Sequence, residues 1–218
     1  MPNYLEIKKK IKKFNKTIHV SGDKSLSIRW ILLASQAIGK SKAYNLLMSE
    51  DVVAAIDSIK KLGIKIKIHK NFCEVYGNGI GGFKYKKNLT IDAKNSGTLG
   101  RLILGLLIKS RKKIKIIGDK SLSKRDFSRV TIPLEKFGAK FSYKIKNKLP
   151  LTILGTQSAE GIKYLENKGS AQCKSSIMLA ALNASGTTSI KAKKSRNHSE
   201  LLFKYLKIPI KVRKTKKF

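Results

Sequence analysis

One order of predicted secondary structure recurs three times along the chain. Each unit begins with a strand and a glycine-containing loop, continues with an apolar helix, a second strand and a second helix, and closes with two further strands. The units span about 20–88, 89–156 and 157–218, and the third contains one strand fewer. Unit one opens with a strand predicted at 16–20 and contains a helix predicted at 49–63, with Ser49 as its cap and Glu50 and Asp51 in its first turn; unit three ends with a strand predicted at 208–214. A period of about 70 residues is longer than that of common solenoids. The pattern therefore predicts an α/β fold in which three βαβαββ units pack into one domain, residues 20–218.

The hexapeptide "GDKSLS" occurs twice, at 22–27 and 118–123, and the repeat assigns the two copies different places. The first copy lies in the loop before the first helix of unit one, whereas the second precedes the second helix of unit two. The loops equivalent to the first copy are instead "KNSGT" and "NKGSAQ". The two copies are therefore not equivalent positions of the internal repeat.

The net charge of +35 raises the question of nucleic-acid binding. Lysines alternate with isoleucines in "IKIKIHK" and "KKIKIIG", which is typical of strands with one solvated face. No aromatic-rich sheet motif, zinc-finger spacing or basic helical stripe accompanies the charge. The sequence therefore disfavours nucleic-acid binding as the main function.

The remaining composition indicates a cytoplasmic protein without a metal site. No apolar run is long enough to span a bilayer, and the first residues have no apolar signal-peptide region. Cys73, Cys173 and the three histidines are too scattered to predict a disulfide framework or a metal cluster. We expect two reduced, packed thiols, with a nucleophilic role for Cys173 as the less favoured alternative.

Several predicted loops join a strand to a helix N-terminus, where free N–H groups and the helix dipole favour an anion. Glycines in these loops allow close backbone approach, and polar and basic side chains surround them. The candidate residues are Gly22, Lys24, Ser25 and Arg29; Asn95, Gly97, Thr98 and Arg101; Gly169, Ser170 and Gln172; and Lys124, Arg125, Ser195 and Arg196. This inventory fits a ligand that carries phosphate and carboxylate groups.

Two simpler interpretations compete with a binding site. In a chain with 48 basic residues, an individual lysine or arginine is more often a solvated surface group than a ligand. A serine at such a turn is often only a helix cap, which is the alternative for Ser25, Ser170 and Ser195.

The motifs "GDKSLSIR", "NSGTLGRL", "GDKSLSKR" and "GSAQCKSS", in this order and spacing, closely resemble the 3-phosphoshikimate 1-carboxyvinyltransferase (5-enolpyruvylshikimate-3-phosphate synthase) family. The resemblance spans essentially the whole chain. It implies one half of a two-domain inside-out α/β barrel, in which each domain has three βαβαββ units. It also places residues 1–19 with the second domain, so that their strand is expected to lack its sheet.

The resemblance implies transfer of the enolpyruvyl group of phosphoenolpyruvate to the 5-hydroxyl of shikimate 3-phosphate, through a tetrahedral adduct that then loses phosphate. This is a step of aromatic amino-acid biosynthesis, and it implies no metal or organic cofactor. Lys24 is implied to contact both substrates and to take part in proton transfer. The residues implied for shikimate 3-phosphate are Lys24, Ser25, Arg29, Ser170, Ala171, Gln172, Ser195 and Arg196; those for phosphoenolpyruvate are Lys24, Gly97, Arg125 and Gln172.

The chain departs from the family pattern in three ways. Asp126 replaces the usual proline after the Lys-Arg pair, and we expect its carboxylate to neutralise Arg125 in part. Lys207 replaces the usual glycine, so the sequence leaves the form of that turn open. The family's second domain, which supplies further catalytic residues, is not matched, so this truncated chain is expected to be inactive alone. A separately encoded C-terminal half is an expected partner, and full-length members are usually monomeric.

Two alternatives remain. The related enolpyruvyl transferase that acts on UDP-N-acetylglucosamine uses a Lys-Asn pair in the first loop and usually a loop cysteine. Here the pair is Lys24-Ser25 and "GDKSLSKRDF" has no cysteine, which favours the shikimate substrate. The other alternative is a non-enzymatic basic domain that binds RNA.

Overall fold

The computed structural model describes residues 6, 8–10, 13 and 15–213, and within it unit two contains all six elements of the repeat. These elements are β4 (Leu89–Asp92), α3 (Gly97–Leu106), β5 (Ile114–Ile117), α5 (Ser128–Lys136), β6 (Lys140–Tyr143) and β7 (Leu151–Leu154). The strands form a sheet in the order β4-β5-β7-β6. Strands β4 and β5 are parallel, and the other neighbours are antiparallel. The predicted order of elements is thus confirmed in unit two.

Unit one has the same order but begins at its first helix. It contains α1 (Lys24–Ala34), β1 (Ile38–Tyr44), α2 (Glu50–Lys61), β2 (Lys65–Ile68) and β3 (Phe72–Asn78), with the antiparallel sheet order β1-β3-β2. The strand predicted at 16–20 is not formed. Ile18 and Val20 remain 69% and 71% exposed, because no strand of the described residues pairs with this segment. Most of residues 1–14 lie outside the described residues, so the assignment of 1–19 to a second domain stays a prediction.

Unit three contains β8 (Lys163–Glu166), α6 (Ala171–Ala181), β9 (Ser189–Ala192) and α7 (His198–Tyr205), and β8 and β9 are parallel. The strand predicted at 208–214 is not formed over 208–213, and residue 214 lies outside the described residues. Pro209 has no N–H for a sheet ladder, and no described strand pairs with this segment. The short apolar run was therefore wrongly interpreted as a strand.

The first helices of the three units pack against one another in the core. In α3, eight of the ten residues are buried, and α3 contacts both α1 and α6. A Cβ atom added at Gly105 would lie 2.2 Å from the carbonyl oxygen of Ser176, so α3 and α6 approach at their backbones. The three helix N-termini are therefore held close together, and so are the loops that precede them.

Equivalent turns end the second helices of the three units. Gly63 and Gly138 have left-handed φ angles of 85° and 98°, and Lys207 has a φ of 55°. In each turn this residue and the next donate N–H groups back to the last helical turn, as Lys207 does to Lys204 and Ile208 to Phe203. The turn at Lys207 therefore has the same form as the two glycine turns, although a side chain in this conformation costs about 1–2 kcal/mol.

The helix starts differ from those predicted from the sequence in two places. Lys120–Ser123 form an unpredicted short helix, α4, whose N-cap Asp119 accepts the Leu122 N–H at 2.6 Å. Ser49 precedes α2 as expected, but its buried hydroxyl makes no capping bond. No helix within the described residues combines the length and apolar character that a membrane span requires.

Candidate functional site

The first loops of the three units open onto one polar pocket of about 300 Å³. Its lining comes from all three units: Lys24 and Asp51 from the first; Asn95, Gly97, Thr98 and Arg125 from the second; and Gln172 from the third. Helices α1, α3 and α6 begin at this pocket, so the positive ends of three helix dipoles converge there. The pocket is therefore suited to an anionic ligand.

Side-chain caps fix where these three helices begin. The Asp23 carboxylate accepts the Leu26 N–H at 2.7 Å, and equivalent bonds of 3.3 and 3.2 Å are accepted by Ser96 and Ser170. The capping interpretation therefore holds for Ser170. It does not hold for Ser25, since Asp23 occupies the cap position of α1.

Lys24 forms an ion pair within the pocket, its Nζ lying 2.9 Å from Asp51 Oδ2. The lysine side chain is 49% exposed and the aspartate side chain 17% exposed. Burial alone would raise the pKa of Asp51, but hydrogen bonds from Ser96 and Lys24 together hold the pKa below its ordinary value. Asp51 therefore remains ionised and fixes the ammonium group at the pocket wall.

Gln172 is held from two sides by unit two. Its side-chain oxygen accepts a bond of 2.9 Å from Arg101 Nη1, and its side-chain nitrogen donates one of 3.2 Å to Thr98 Oγ1. Arg101 also donates to the Asp126 carbonyl oxygen at 3.1 Å and lies over the Phe127 ring. The amide is thereby oriented across the boundary between units two and three.

The guanidinium groups of Arg101 and Arg125 approach the backbone of Gly97. A Cβ atom at Gly97 would lie 2.9 Å from Arg101 Nη1 and 3.2 Å from Arg125 Nη1. Burial lowers the pKa of Arg101, and the like charges of Arg125 and Arg129 lower it further. A bound anion would relieve this repulsion.

The expected neutralisation of Arg125 by Asp126 is not seen. The Asp126 carboxylate turns toward the start of α5, where it accepts the Ser128 N–H at 2.8 Å and the Ser128 hydroxyl at 2.5 Å. No ion pair joins Asp126 to Arg125 within the part of the chain that the structure describes. The carboxylate therefore bonds to the start of α5 and does not pair with Arg125.

Arg29 is only 5% exposed and connects α1 to unit three. Its Nε donates to Ser199 Oγ at 2.8 Å, its Nη2 to Ser175 Oγ at 3.1 Å, and its Nη1 to the Ser25 carbonyl oxygen at 2.9 Å. These bonds use three of its five N–H groups. Burial lowers the pKa of Arg29, and the nearby charges of Asp23 and Glu200 oppose that effect.

The other predicted residues lie at the flank of the pocket or apart from it. Ser195 is half-buried before α7, and its hydroxyl has no hydrogen-bond partner in the described chain. Arg196 is exposed close enough to Arg29 to lower its pKa. Ala171 is the first residue of α6, whereas Lys124 is exposed at the end of α4 and does not line the pocket.

Asp51 is the pocket residue that sequence reasoning missed. The sequence indicated only that an acidic residue in the first turn of α2 suits the helix dipole. Its position after the second strand of unit one, equivalent to the Arg125 region of unit two, was the available signal. Asn95 and Thr98, in contrast, were among the candidate residues and line the pocket.

The thiols are buried, as expected. Cys73 and Cys173 are both free, and burial together with the Glu166 charge raises the pKa of Cys173 to about 12. A nucleophilic role for Cys173 is therefore not supported. Across the described residues, no group of three or more metal-ligating side chains occurs.

The family model for EPSP synthase (3-phosphoshikimate 1-carboxyvinyltransferase) matches residues 8–218. The chain belongs to this family. It is 40% identical over 198 residues to the 3-phosphoshikimate 1-carboxyvinyltransferase of Streptococcus suis, covering 90% of this chain and 46% of that protein. It is 39% identical over 189 residues to the enzyme of the same name from Zymomonas mobilis, covering 86% of this chain and 42% of that protein.

A solved structure of EPSP synthase from Acinetobacter baumannii has the same fold. The TM-score is 0.84 at 33% identity, over 90% of this chain and 44% of that one. The predicted family and fold class are thus confirmed. The chain spans less than half the length of the EPSP synthases that it matches.

Proposed function

We propose that this chain binds shikimate 3-phosphate and phosphoenolpyruvate and contributes to transfer of the enolpyruvyl group to the 5-hydroxyl of shikimate 3-phosphate. One observation carries the proposal. The four residues assigned to phosphoenolpyruvate, Lys24, Gly97, Arg125 and Gln172, come from three repeat units and line a single pocket.

The pocket chemistry fits phosphoenolpyruvate, which carries a phosphate and a carboxylate. Arg125 presents a planar fork that suits either group, and Lys24 supplies a point charge. The glycine at position 97 lets a ligand reach the N–H groups at the start of α3. Gln172, fixed by Arg101 and Thr98, supplies an oriented amide to the pocket lining.

Shikimate 3-phosphate is assigned to the flank formed by α1, α6 and the start of α7. The unpartnered hydroxyl of Ser195 and the exposed guanidinium of Arg196 supply phosphate contacts there. A buried hydroxyl without a partner costs about 1–3 kcal/mol, and a ligand oxygen would remove that cost. The full set of residues proposed to bind shikimate 3-phosphate is Lys24, Ser25, Arg29, Ser170, Ala171, Gln172, Ser195 and Arg196. Lys24 lies between the two ligands, where its ammonium group takes part in proton transfer.

Turnover requires more than this chain. The EPSP synthases it matches are about twice as long. Closure of the remaining part over the pocket would exclude water and strengthen the ionic contacts. We assign the protein to the cytoplasm, where the part of EPSP synthase that this chain does not span completes the site. It needs no metal or organic cofactor in this proposal.

Binding of shikimate 3-phosphate, measured by isothermal titration calorimetry, tests the assignment. Lys24→Ala should weaken binding about tenfold or more, since it removes a charge-assisted bond worth about 1.5–3 kcal/mol. Lys120→Ala is the matched control, because Lys120 has the same place in the second "GDKSLS" copy and does not line the pocket. Equal losses of affinity in the two variants would contradict the assignment of Lys24 to the binding site.

Two further measurements test the reaction. UDP-N-acetylglucosamine should not compete for the site; competition at the affinity of shikimate 3-phosphate would favour the related transferase. Phosphate release from both substrates should be absent with this chain alone and should appear when the remaining part of a related EPSP synthase is added. Turnover by the chain alone would refute the proposed need for that part.

A further inference from the structure

The first sheet presents an outer face unlike those of the other two sheets. Strand pairing places three rows of side chains on this face, perpendicular to the strands. The rows are Lys40–Tyr76–Lys65, Lys42–Glu74–Lys67 and Tyr44–Phe72. The alternate residues Cys73, Val75 and Gly77 of β3 are buried, so these rows point away from the core. We call these eight residues the lysine–aromatic face.

Among the aromatic residues of this face, Tyr44 is exposed, whereas Phe72 and Tyr76 are half-buried. The Phe72 ring also stacks on His69, with the ring centroids 4.2 Å apart. Tyr44 is 66% exposed, and Lys42 Nζ lies 4.9 Å from its ring centroid and 3.7 Å from that of Phe72. Lys65 Nζ and Lys67 Nζ lie 5.4 and 5.9 Å from the Tyr76 centroid. The face therefore combines one exposed ring, Tyr44, with two half-buried rings, and ammonium groups lie over all three.

The aromatic residues distinguish this face from a general excess of lysine. On the second sheet, Phe141 and Tyr143 pair with the buried Ile153 and Leu151 and so face inward, while Lys115 pairs with Thr152 on the outer face. The outer face of the third sheet carries residues such as Lys163 and Leu165 and no aromatic residue within the described chain. Lysines thus occur on all three outer faces, but aromatic rings on one.

We propose that the lysine–aromatic face binds single-stranded nucleic acid. Accessible bases can stack on aromatic rings of a sheet, and lysines beside the rings can contact the phosphates. The charge of the face, four lysines against Glu74, and the net charge of +35 both complement a polyanion. The sequence showed no aromatic-rich sheet motif because the three rings come from two strands that are separated along the chain and assembled by pairing.

Glu74 is the one acidic residue of the face, so replacing it should strengthen binding, whereas replacing the lysines should weaken it. Its carboxylate accepts a bond of 3.0 Å from the Tyr76 hydroxyl and lies 3.4 Å from Lys40 Nζ and 3.6 Å from His69 Nε2. Removing its charge should free these groups and lower repulsion of phosphate. Glu74→Gln should therefore tighten binding by about twofold to fivefold.

Fluorescence anisotropy with labelled oligo(dT) and oligo(U), each about 20 nucleotides long, measures the interaction at about 100 mM salt. The double variant Lys42→Ala, Lys67→Ala should bind about tenfold more weakly, and its slope of log affinity against log salt should fall by about 1.4. Lys115→Ala with Lys163→Ala removes the same charge from the other two sheets and should change affinity by less than about twofold.

Tyr44→Ala separates base stacking from simple charge attraction. It should weaken binding about fivefold or more, since one stacked base contributes at least that factor, while a duplex of the same length should bind more weakly than either single strand. Binding of one oligonucleotide alone would support the proposal and identify DNA or RNA as the source. The proposal would be overturned by equal losses of affinity in the two lysine double variants, or by no loss of affinity in Tyr44→Ala. It would also be overturned if duplex or heparin bound as tightly as the single strands. Unchanged Trp30 fluorescence would show that each variant is folded.

Discussion

The two copies of "GDKSLS" begin in the same way and then diverge. In both, the aspartate caps a helix that starts at the following lysine, with Asp23 and Asp119 each accepting a leucine N–H. The first helix continues for 11 residues through the core, whereas the second ends after 4. Lys24 lines the pocket and Lys120 does not. Six identical residues therefore determine a local cap, while the surroundings determine which copy takes part in the site.

The largest difference between the copies should appear at their first residue. A Cβ atom at Gly22 would lie 2.0 Å from the Asn45 carbonyl oxygen, a backbone atom that cannot easily move. At Gly118 the nearest atoms would be Leu122 Cδ2 at 2.8 Å and the Lys94 carbonyl oxygen at 2.9 Å. Gly22→Ala should lower the free energy of unfolding by about 3 kcal/mol or more, and Gly118→Ala by about 1–2 kcal/mol.

Urea denaturation measures both glycine variants. Gly81→Ala is a control, because Gly81 has a left-handed φ of 72° and open space around it, so only backbone strain of about 1 kcal/mol is expected. A smaller loss for Gly22→Ala than for Gly118→Ala would show that the Asn45 backbone yields.

Removing either aspartate cap should cost a similar free energy, but the two losses should affect different parts of the chain. Asp23→Ala and Asp119→Ala should each cost about 1 kcal/mol. Loss of the first cap affects a helix that packs in the core, so global stability should fall. Loss of the second should mainly increase hydrogen exchange of the Leu122 amide. Asparagine at either position should restore the wild-type values, and uniform exchange changes across the chain would contradict a local role for Asp119.

The turn at Lys207 tests the converse case, in which different residues share one conformation. Lys207→Gly should raise the free energy of unfolding by about 1 kcal/mol, since glycine adopts this φ without a steric penalty. Gly138→Ala at the equivalent turn should instead lower the free energy of unfolding. Thermal unfolding of both variants measures the effect, and a destabilising Lys207→Gly would mean that the lysine side chain makes a compensating contact.

The smallest expected effect is the ion pair that only the first copy forms. The folded-state pKa of Asp51 is lowered, so its contribution to stability is complete above about pH 4 and is lost as the pH falls through the folded pKa. Because Lys24 is half-exposed, Asp51→Asn should cost less than about 1 kcal/mol at neutral pH. Urea denaturation at decreasing pH should show the difference between Asp51→Asn and the wild type shrink as Asp51 becomes protonated in the folded state. A difference that does not change with pH would assign the effect to something other than charge.

Prediction from the sequence worked best where local chemistry decides the structure. The helix predicted at 49–63 was found as α2, because its apolar period and its closing Gly63 are local signals. The strands predicted at 16–20 and 208–214 were not found among the described residues, because a strand needs a neighbour that its own residues do not specify. Helix α4 was too short to produce a periodic pattern.

The site was predicted only in part, because the sequence shows local signals but not the contacts between distant residues. Glycine and basic residues at strand-to-helix turns are visible in the sequence, and Lys24, Gly97, Arg125 and Gln172 meet in one pocket. The partners of these residues are not visible. Asp51 reaches Lys24 from 27 positions away, and Arg101 reaches Gln172 from 71 positions away. Only the packing of the three units determines such contacts.

The buried Arg29 has a consequence for the order of folding. Its two side-chain partners, Ser175 and Ser199, lie 146 and 170 positions later in the chain. During synthesis, the guanidinium of unit one must therefore stay hydrated until the α7 region has left the ribosome, because burying it without those serines is costly. Contacts of such high contact order slow folding. The three units should accordingly complete their core together, late in synthesis, rather than one repeat at a time.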